Sequence, residues 1–251
     1  MSRIGSSHTL PRLYVPDELI TGQHVGLNVG QTHYLCHVMR LKEGDAVRLF
    51  NGRDGEWQAA VGPGKKRLLE VTVHEQLKPQ TAKTALRLCC APIKRAHFDA
   101  MIMKATELGV SQIQPILTAR TQVRDVNLEH ARAIAIEAAE QSERLSLPDI
   151  KPPLSLEQMA AAWSNDCLPV VCAEWGEAMP VREAFSKLDL KDIQESAIIT
   201  GPEGGFAPKE MQLLRALPRA LPIRLGPSIL RADTAAIAAL TCWQALCGDW
   251  R

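Results

Sequence analysis

From Arg12 to Glu75 apolar and polar residues alternate with a period of two, the spacing at which successive side chains fall on opposite faces of a strand. The runs are Arg12–Val15, Ala46–Phe50, Glu56–Val61 and Leu68–Val73, separated by turn-forming stretches at Glu43–Asp45, Asn51–Gly55 and Gly62–Lys66. Short strands joined by such turns predict hairpins and a small barrel or sandwich, with one short helix over His33–Leu41. The pattern lapses from Gln76 to Thr84, a polar segment containing Pro79. That lapse predicts a boundary between a domain over residues 1–78 and a second over 79–251.

Beyond Ala85 the period changes. An apolar run, Leu86–Ala91, precedes a helix whose Phe98, Met101, Ile102, Ala105 and Leu108 share one face, with Gly109 placed to end it. Val110–Leu117 reads as the next strand, and Asn127 caps a long helix to about Leu145. Leu168–Ala173, Ala197–Thr200 and Pro222–Leu225 read as further buried strands, Pro208–Leu217 and Ala232–Cys247 as helices. Strands alternating with helices predict an α/β domain, a parallel sheet covered on both faces.

Composition narrows the class. With 46% hydrophobic and 23% charged residues in 251, the chain can bury a sizeable core. A net charge of +1 predicts neither nucleic-acid nor membrane binding from charge alone, so any polyanion site must be local. Seven cysteines without a C-x-x-C pair argue against a disulfide framework or a zinc site, and predict reduced thiols in the cytoplasm. The polar Met1–Ser7 lacks the apolar core of a secretory signal, and no stretch reaches the length of a spanning helix, so neither membrane nor metal is expected.

Parallel α/β sheets bind ligands at the carboxyl ends of their strands, and two loops stand there. Gly201-Pro202-Glu203-Gly204-Gly205 follows the strand ending at Thr200, and Leu225-Gly226-Pro227-Ser228-Ile229-Leu230-Arg231-Ala232-Asp233-Thr234 runs from the last strand into the last helix. Neither fits a phosphate-loop or dinucleotide fingerprint. Alone, the first could be a tight turn, Asp233 or Thr234 a helix cap, and Arg231 a solvated charge. As a pair at neighbouring strand ends they predict a cradle that backbone groups line closely.

Four strings, KATELGVSQIQP (Lys104–Pro115), EAAEQSERLSLPDI (Glu137–Ile150), ITGPEGGFAPKE (Ile199–Glu210) and LGPSILRADTA (Leu225–Ala235), resemble in order and spacing the ribosomal RNA small subunit methyltransferase E family, of the SPOUT superfamily. PRLYV at Pro11–Val15 and HYLCHVMRLKEGD at His33–Asp45 extend the resemblance over nearly the whole chain. It implies an N-terminal PUA-like β-barrel, a C-terminal trefoil-knotted α/β domain threaded through the glycine-bearing loops, and methylation of N3 of a uridine in 16S ribosomal RNA. It implies S-adenosyl-L-methionine held by Glu174, Thr200, Gly201, Gly204, Gly205, Leu225, Gly226, Ile229 and Leu230, and a homodimer built partly on the last helix. The partner is 16S ribosomal RNA or the small ribosomal subunit. Two positions depart: the family's L-R-T-E-T is Leu230-Arg231-Ala232-Asp233-Thr234 here, with a shorter carboxylate, and its Ser or Thr before the following helix is Ala207.

Methyl transfer to N3 needs donor and acceptor aligned and the N3 proton removed or its charge stabilised. Arg231, Asp233 and Glu203 are the candidate catalytic groups. Arg231 is expected to face the uracil carbonyls with its planar fork of donors; Asp233 is a candidate base; Glu203 either acts in the chemistry or braces the glycine turn. For RNA, Arg87, Lys94, Arg95, Lys104, Arg120 and Arg124 are opposed only by Asp99 and Glu107, and Arg12, Arg40 and Arg144 join them by resemblance. Two other readings keep some of these features: a non-catalytic RNA-binding protein, and a ribose 2′-O-methyltransferase.

Overall fold

The computed structural model describes residues 10–63, 68–82, 85–173 and 177–250. The chain divides into two compact units, Met1–Lys83 with Ala139–Leu147, and Thr84–Ala138 with Pro148–Arg251.

The first unit carries β1 (Arg12–Tyr14), β2 (His24–Gly26), α1 (Val29–His33), β3 (Ala46–Phe50), β4 (Glu56–Val61) and β5 (Glu70–Lys78). They form one sheet in the order β1-β3-β4-β5-β2, antiparallel except where β1 meets β3. Leu13, Val25, Val47, Leu49, Ala59, Val71 and Val73 make its core, every second residue of each strand, as the period-two pattern requires. Two expectations shift. The helix over His33–Leu41 begins earlier, at an Asn28 cap that Gln31 reciprocates, and its second half is a π-helical turn, Tyr34–Val38. Residues 76–78, the start of the segment where the pattern lapses, belong to β5, because pairing with β4 supplies the hydrogen bonds that the side-chain pattern does not signal. Gly55 is obligatory at the start of β4: its φ is +83°, and a Cβ there would lie 2.1 Å from the Lys78 carbonyl oxygen.

The second unit runs β6 (Leu86–Cys90), α2 (Arg95–Glu107), β7 (Gln112–Leu117), α3 (Leu128–Gln141), β8 (Asp149–Ile150), β9 (Leu154–Ser155), α4 (Leu156–Ala161), β10 (Cys167–Cys172), β11 (Met179–Pro180), α5 (Val181–Ser186), β12 (Glu195–Thr200), α6 (Pro208–Arg215), β13 (Leu221–Arg224) and α7 (Ala232–Leu246), the last residues of α3 being counted with the first unit. Its strands order as β11-β13-β10-β12-β6-β7-β8, with β9 beside β7, and every pairing is parallel. Both faces are covered, because alternate residues of one strand enter different cores. Leu88, Val170 and Ile198 pack with Met101, Ile102, Ala236 and Leu240 of α2 and α7, whereas Cys89, Val171 and Ile199 pack with Leu156 of α4 and Leu214 of α6. The face expected of α2 is buried, and Gly109 ends it at φ +88°. Asn127 caps α3 through its side chain on the His130 amide, 3.0 Å.

Parallel pairing puts the carboxyl ends of β6, β10, β12 and β13 on one edge of the sheet. Residues 91–94, 201–207 and 225–231 all leave from that edge. Among the described residues no helix is long and apolar enough to cross a membrane, and no group of three or more His, Cys, Asp or Glu could hold a metal ion.

Candidate active site

At that edge lies a cavity of about 670 Å³. The end of β10 gives Cys172 and Ala173, the end of β12 gives Thr200, and the two glycine loops and the start of α7 close the rest. Of the positions expected to hold a cofactor, Thr200, Gly201, Gly204, Gly205, Leu225, Gly226, Ile229 and Leu230 line this one space. Glu174 lies outside the described residues.

The glycine loop has its shape for local reasons. Gly205 stands at φ +67°, where a Cβ is strained, and its amide closes a turn on the Pro202 carbonyl at 2.8 Å. A Cβ on Gly204 would press on the Arg120 stem at 3.3 Å, and Arg120 Nη1 donates to the Gly204 carbonyl at 2.6 Å. Gly226 has open space where a Cβ would stand. Thr200 is 1% exposed, yet its hydroxyl has no hydrogen-bond partner among the described residues. A buried hydroxyl without a partner is uncommon, and this one belongs to a residue lining the cavity. Arg120 and Arg224 are the charged residues that line it among those described, and the other lining residues are apolar or backbone-rich. The space therefore suits a molecule with an apolar or aromatic body, hydrogen-bonding edges and a carboxylate, which is the chemistry of an adenosyl amino acid.

Arg231 is exposed as the N-cap residue of α7, between the lining residues Leu230 and Ala232. Asp233 is used on both oxygens: Oδ1 accepts the Thr234 amide at 2.8 Å, and Oδ2 accepts Nδ1 of His97 at 2.8 Å. Although burial acts to raise it, the hydrogen bond from His97 and those from the backbone hold its carboxyl below the usual carboxylate range. Glu203 is exposed outside the lining. Bracing, one of the two roles open to Glu203, is performed by Glu210, which is buried and accepts the Ala207 amide at 2.7 Å and the Ala119 amide at 2.6 Å. Glu210 stands three residues after the cap position, an offset that marks capping boxes, and that spacing is the signal by which it could have been found.

The basic residues fare differently. Arg40 and Lys94 are exposed, and Lys104 is paired with Glu107 at 2.8 Å. Arg120 lines the cavity. Arg144 belongs to the first unit, reaches Ser146 Oγ at 3.3 Å and accepts a bond from Arg12 on its carbonyl. Arg12, expected to face RNA, points inward instead. It is 6% exposed, bonded to Glu56 at 2.5 Å and to the Ala139 and Arg144 carbonyls, and stacked 3.7 Å over Phe50. Its guanidinium has no open face for a phosphate, and its work is inside the first unit.

Residues 80–244 match the family described as the RNA methyltransferase domain, and residues 27–73 match the RNA methyltransferase PUA domain. The chain is 37% identical over 230 residues to ribosomal RNA small subunit methyltransferase E of Rickettsia conorii, covering 91% of this chain and 93% of that protein. It is 35% identical over 242 residues to the protein of the same name from Synechocystis, covering 94% and 77%. A crystal structure of ribosomal RNA small subunit methyltransferase E from Neisseria gonorrhoeae bound to S-adenosyl methionine is similar with a TM-score of 0.86 and 26% identity, covering 96% of this chain and all of that one, 100%.

Proposed function

Because this chain belongs to the ribosomal RNA small subunit methyltransferase E family, we propose that it methylates ribosomal RNA with S-adenosylmethionine, at N3 of a uridine in the 16S molecule. The observation that carries the reading is the single cavity shared by the two glycine-bearing loops, with the unpartnered Thr200 hydroxyl on its wall. Backbone groups freed by Gly201, Gly204, Gly205 and Gly226 are suited to the adenosyl edges, and Arg120 or Arg224 to the carboxylate. The bound cofactor supplies an electrophilic methyl group on sulfur.

The protein's own residues must align the uridine and deal with its N3 proton. Arg231 stands at the cavity's rim, where among the described residues its donors meet no acid, and its guanidinium is suited to stabilise negative charge on the uracil oxygens while the proton passes to solvent. Asp233, held ionised by two donors, is a poor proton acceptor and is assigned to holding the start of α7. Arg40 and Lys94 are proposed as phosphate contacts, the target uridine being unstacked to expose N3. The trefoil threading, the cytoplasmic location and a homodimer belong to the same reading. The α7 face of Thr234, Ile237, Ala238, Thr241 and Ala245 is only partly covered, and the second subunit is proposed to cover it.

The test has two stages. Calorimetric titration with S-adenosylmethionine should give saturable binding of one molecule per chain, and its absence favours a non-catalytic RNA binder. Mass spectrometry of nucleosides from small subunits treated with enzyme and cofactor should then show N3-methyluridine. A 2′-O-methyl nucleoside instead would overturn the base assignment and keep the cofactor.

A further inference from the structure

His97 is the third residue of α2, and Asp233 the second of α7. Both helices begin at the carboxyl edge of the sheet where the cavity opens. A carboxylate can only accept, so the 2.8 Å contact puts the proton of the imidazole on Nδ1, and the other oxygen of Asp233 caps the Thr234 amide. This matters because Arg231, the N-cap residue, gives α7 no side-chain cap. The first turn of α7 is therefore fastened by Asp233, and Asp233 by His97. Around it stand Leu230, Ala232 and Ala235, all on the cavity wall.

We propose that His97 is a positioning residue for the cofactor wall, its imidazole clasping Asp233 so that the first turn of α7, and with it residues 225–235, keeps the shape that binds the methyl donor. The proposal rests on the reading that this cavity takes S-adenosylmethionine. His97 touches neither the cavity nor the reacting atoms and acts through Asp233. Elsewhere on α2, Arg95 lies 3.8 Å from Asp99, which His130 of α3 bonds at 2.9 Å. His130 with Asp99 forms a second pair of the same kind, and a His97 variant leaves it intact.

Cofactor affinity of wild type, His97→Ala, Asp233→Asn and the double variant, measured by calorimetry, forms a double-mutant cycle. Each single change should weaken binding about tenfold, and the double should be no weaker than the poorer single, since both remove one interaction. Hydrogen exchange of amides 225–235 in the free protein should quicken in His97→Ala, while the melting temperature stays close to wild type; a merely stabilising surface pair would move the melting temperature instead. Wild-type protein that binds no cofactor overturns the functional reading, and the exchange measurement still judges the clasp. Wild-type binding with unchanged affinity in the single variants, or with strictly additive losses, overturns the clasp alone.

Discussion

Thr200 shows how one buried atom can divide stability from binding. Its hydroxyl is buried without a partner, and such a group costs about 1–3 kcal/mol relative to one that is satisfied. Thr200→Val removes the hydroxyl at nearly constant shape. The free protein should therefore melt at the same or a slightly higher temperature, while the rise in melting temperature on adding S-adenosylmethionine shrinks; a variant that loses stability but keeps the full ligand-induced rise refutes a ligand for that hydroxyl. Two glycines separate along the same line. Gly205→Ala forces a Cβ onto a φ of +67° and should cost roughly 1–2 kcal/mol in the free protein. Gly226→Ala meets no atom within 4 Å and should leave thermal stability within about 0.5 kcal/mol of wild type, so any loss of cofactor binding there reports on space taken from the ligand.

Between elements, Glu210 helps to hold the glycine loop, since its two oxygens tie the start of α6 to the backbone after β7. Glu210→Ala leaves two amides without acceptors and should destabilise the second unit by about 1–3 kcal/mol, measured by chemical unfolding, whereas Glu203→Ala, at an exposed position, should change little. The sequence pattern placed the glycine loop between β12 and α6 correctly because the strand is a buried apolar run and Pro208 fits the first helical turn. It does not single out Glu210 as the brace, because Glu210 reaches Ala119 across 91 positions and no local period encodes that distance. The same limit explains β2, β8, β9 and β11, each two or three residues long and made by pairing rather than by propensity, and α4 and α5, too short for a helical period to show. Likewise Asp233 was legible as an acid beside the second loop, but its partner His97 lies 136 residues away and carried no signal.

At the scale of the folded chain, the first unit is completed by a segment that sequence order places far from it, Ala139–Leu147. Charge holds it there. Glu56, 1% exposed, receives Arg12 and lies 3.6 Å from Arg48 and 3.5 Å from Lys78, and these two cations also meet Glu143, at 2.9 and 3.2 Å. Arg12 reaches the same segment through the Ala139 and Arg144 carbonyls. The hydrogen bond from Arg48, reinforced by that from Lys78, overcomes the opposing effect of burial and depresses the Glu143 carboxyl to about 2. A carboxylate with a lower pKa folded than unfolded binds fewer protons in the folded state, so its stabilising effect is complete above the unfolded value, about 4.3, and drains away as pH falls towards 2. Glu143→Gln abolishes that titration. At pH 7 the variant should melt below wild type; below about pH 4.5 the wild-type melting temperature should fall the more steeply, and the two curves should converge near pH 2. Curves that stay parallel from neutral to acid pH would mean that Glu143 is not what fastens the returning segment. The pairing of Arg12 with Glu56 would then have to carry that work, and Glu56→Gln, which strands a buried guanidinium, should unfold the first unit at every pH.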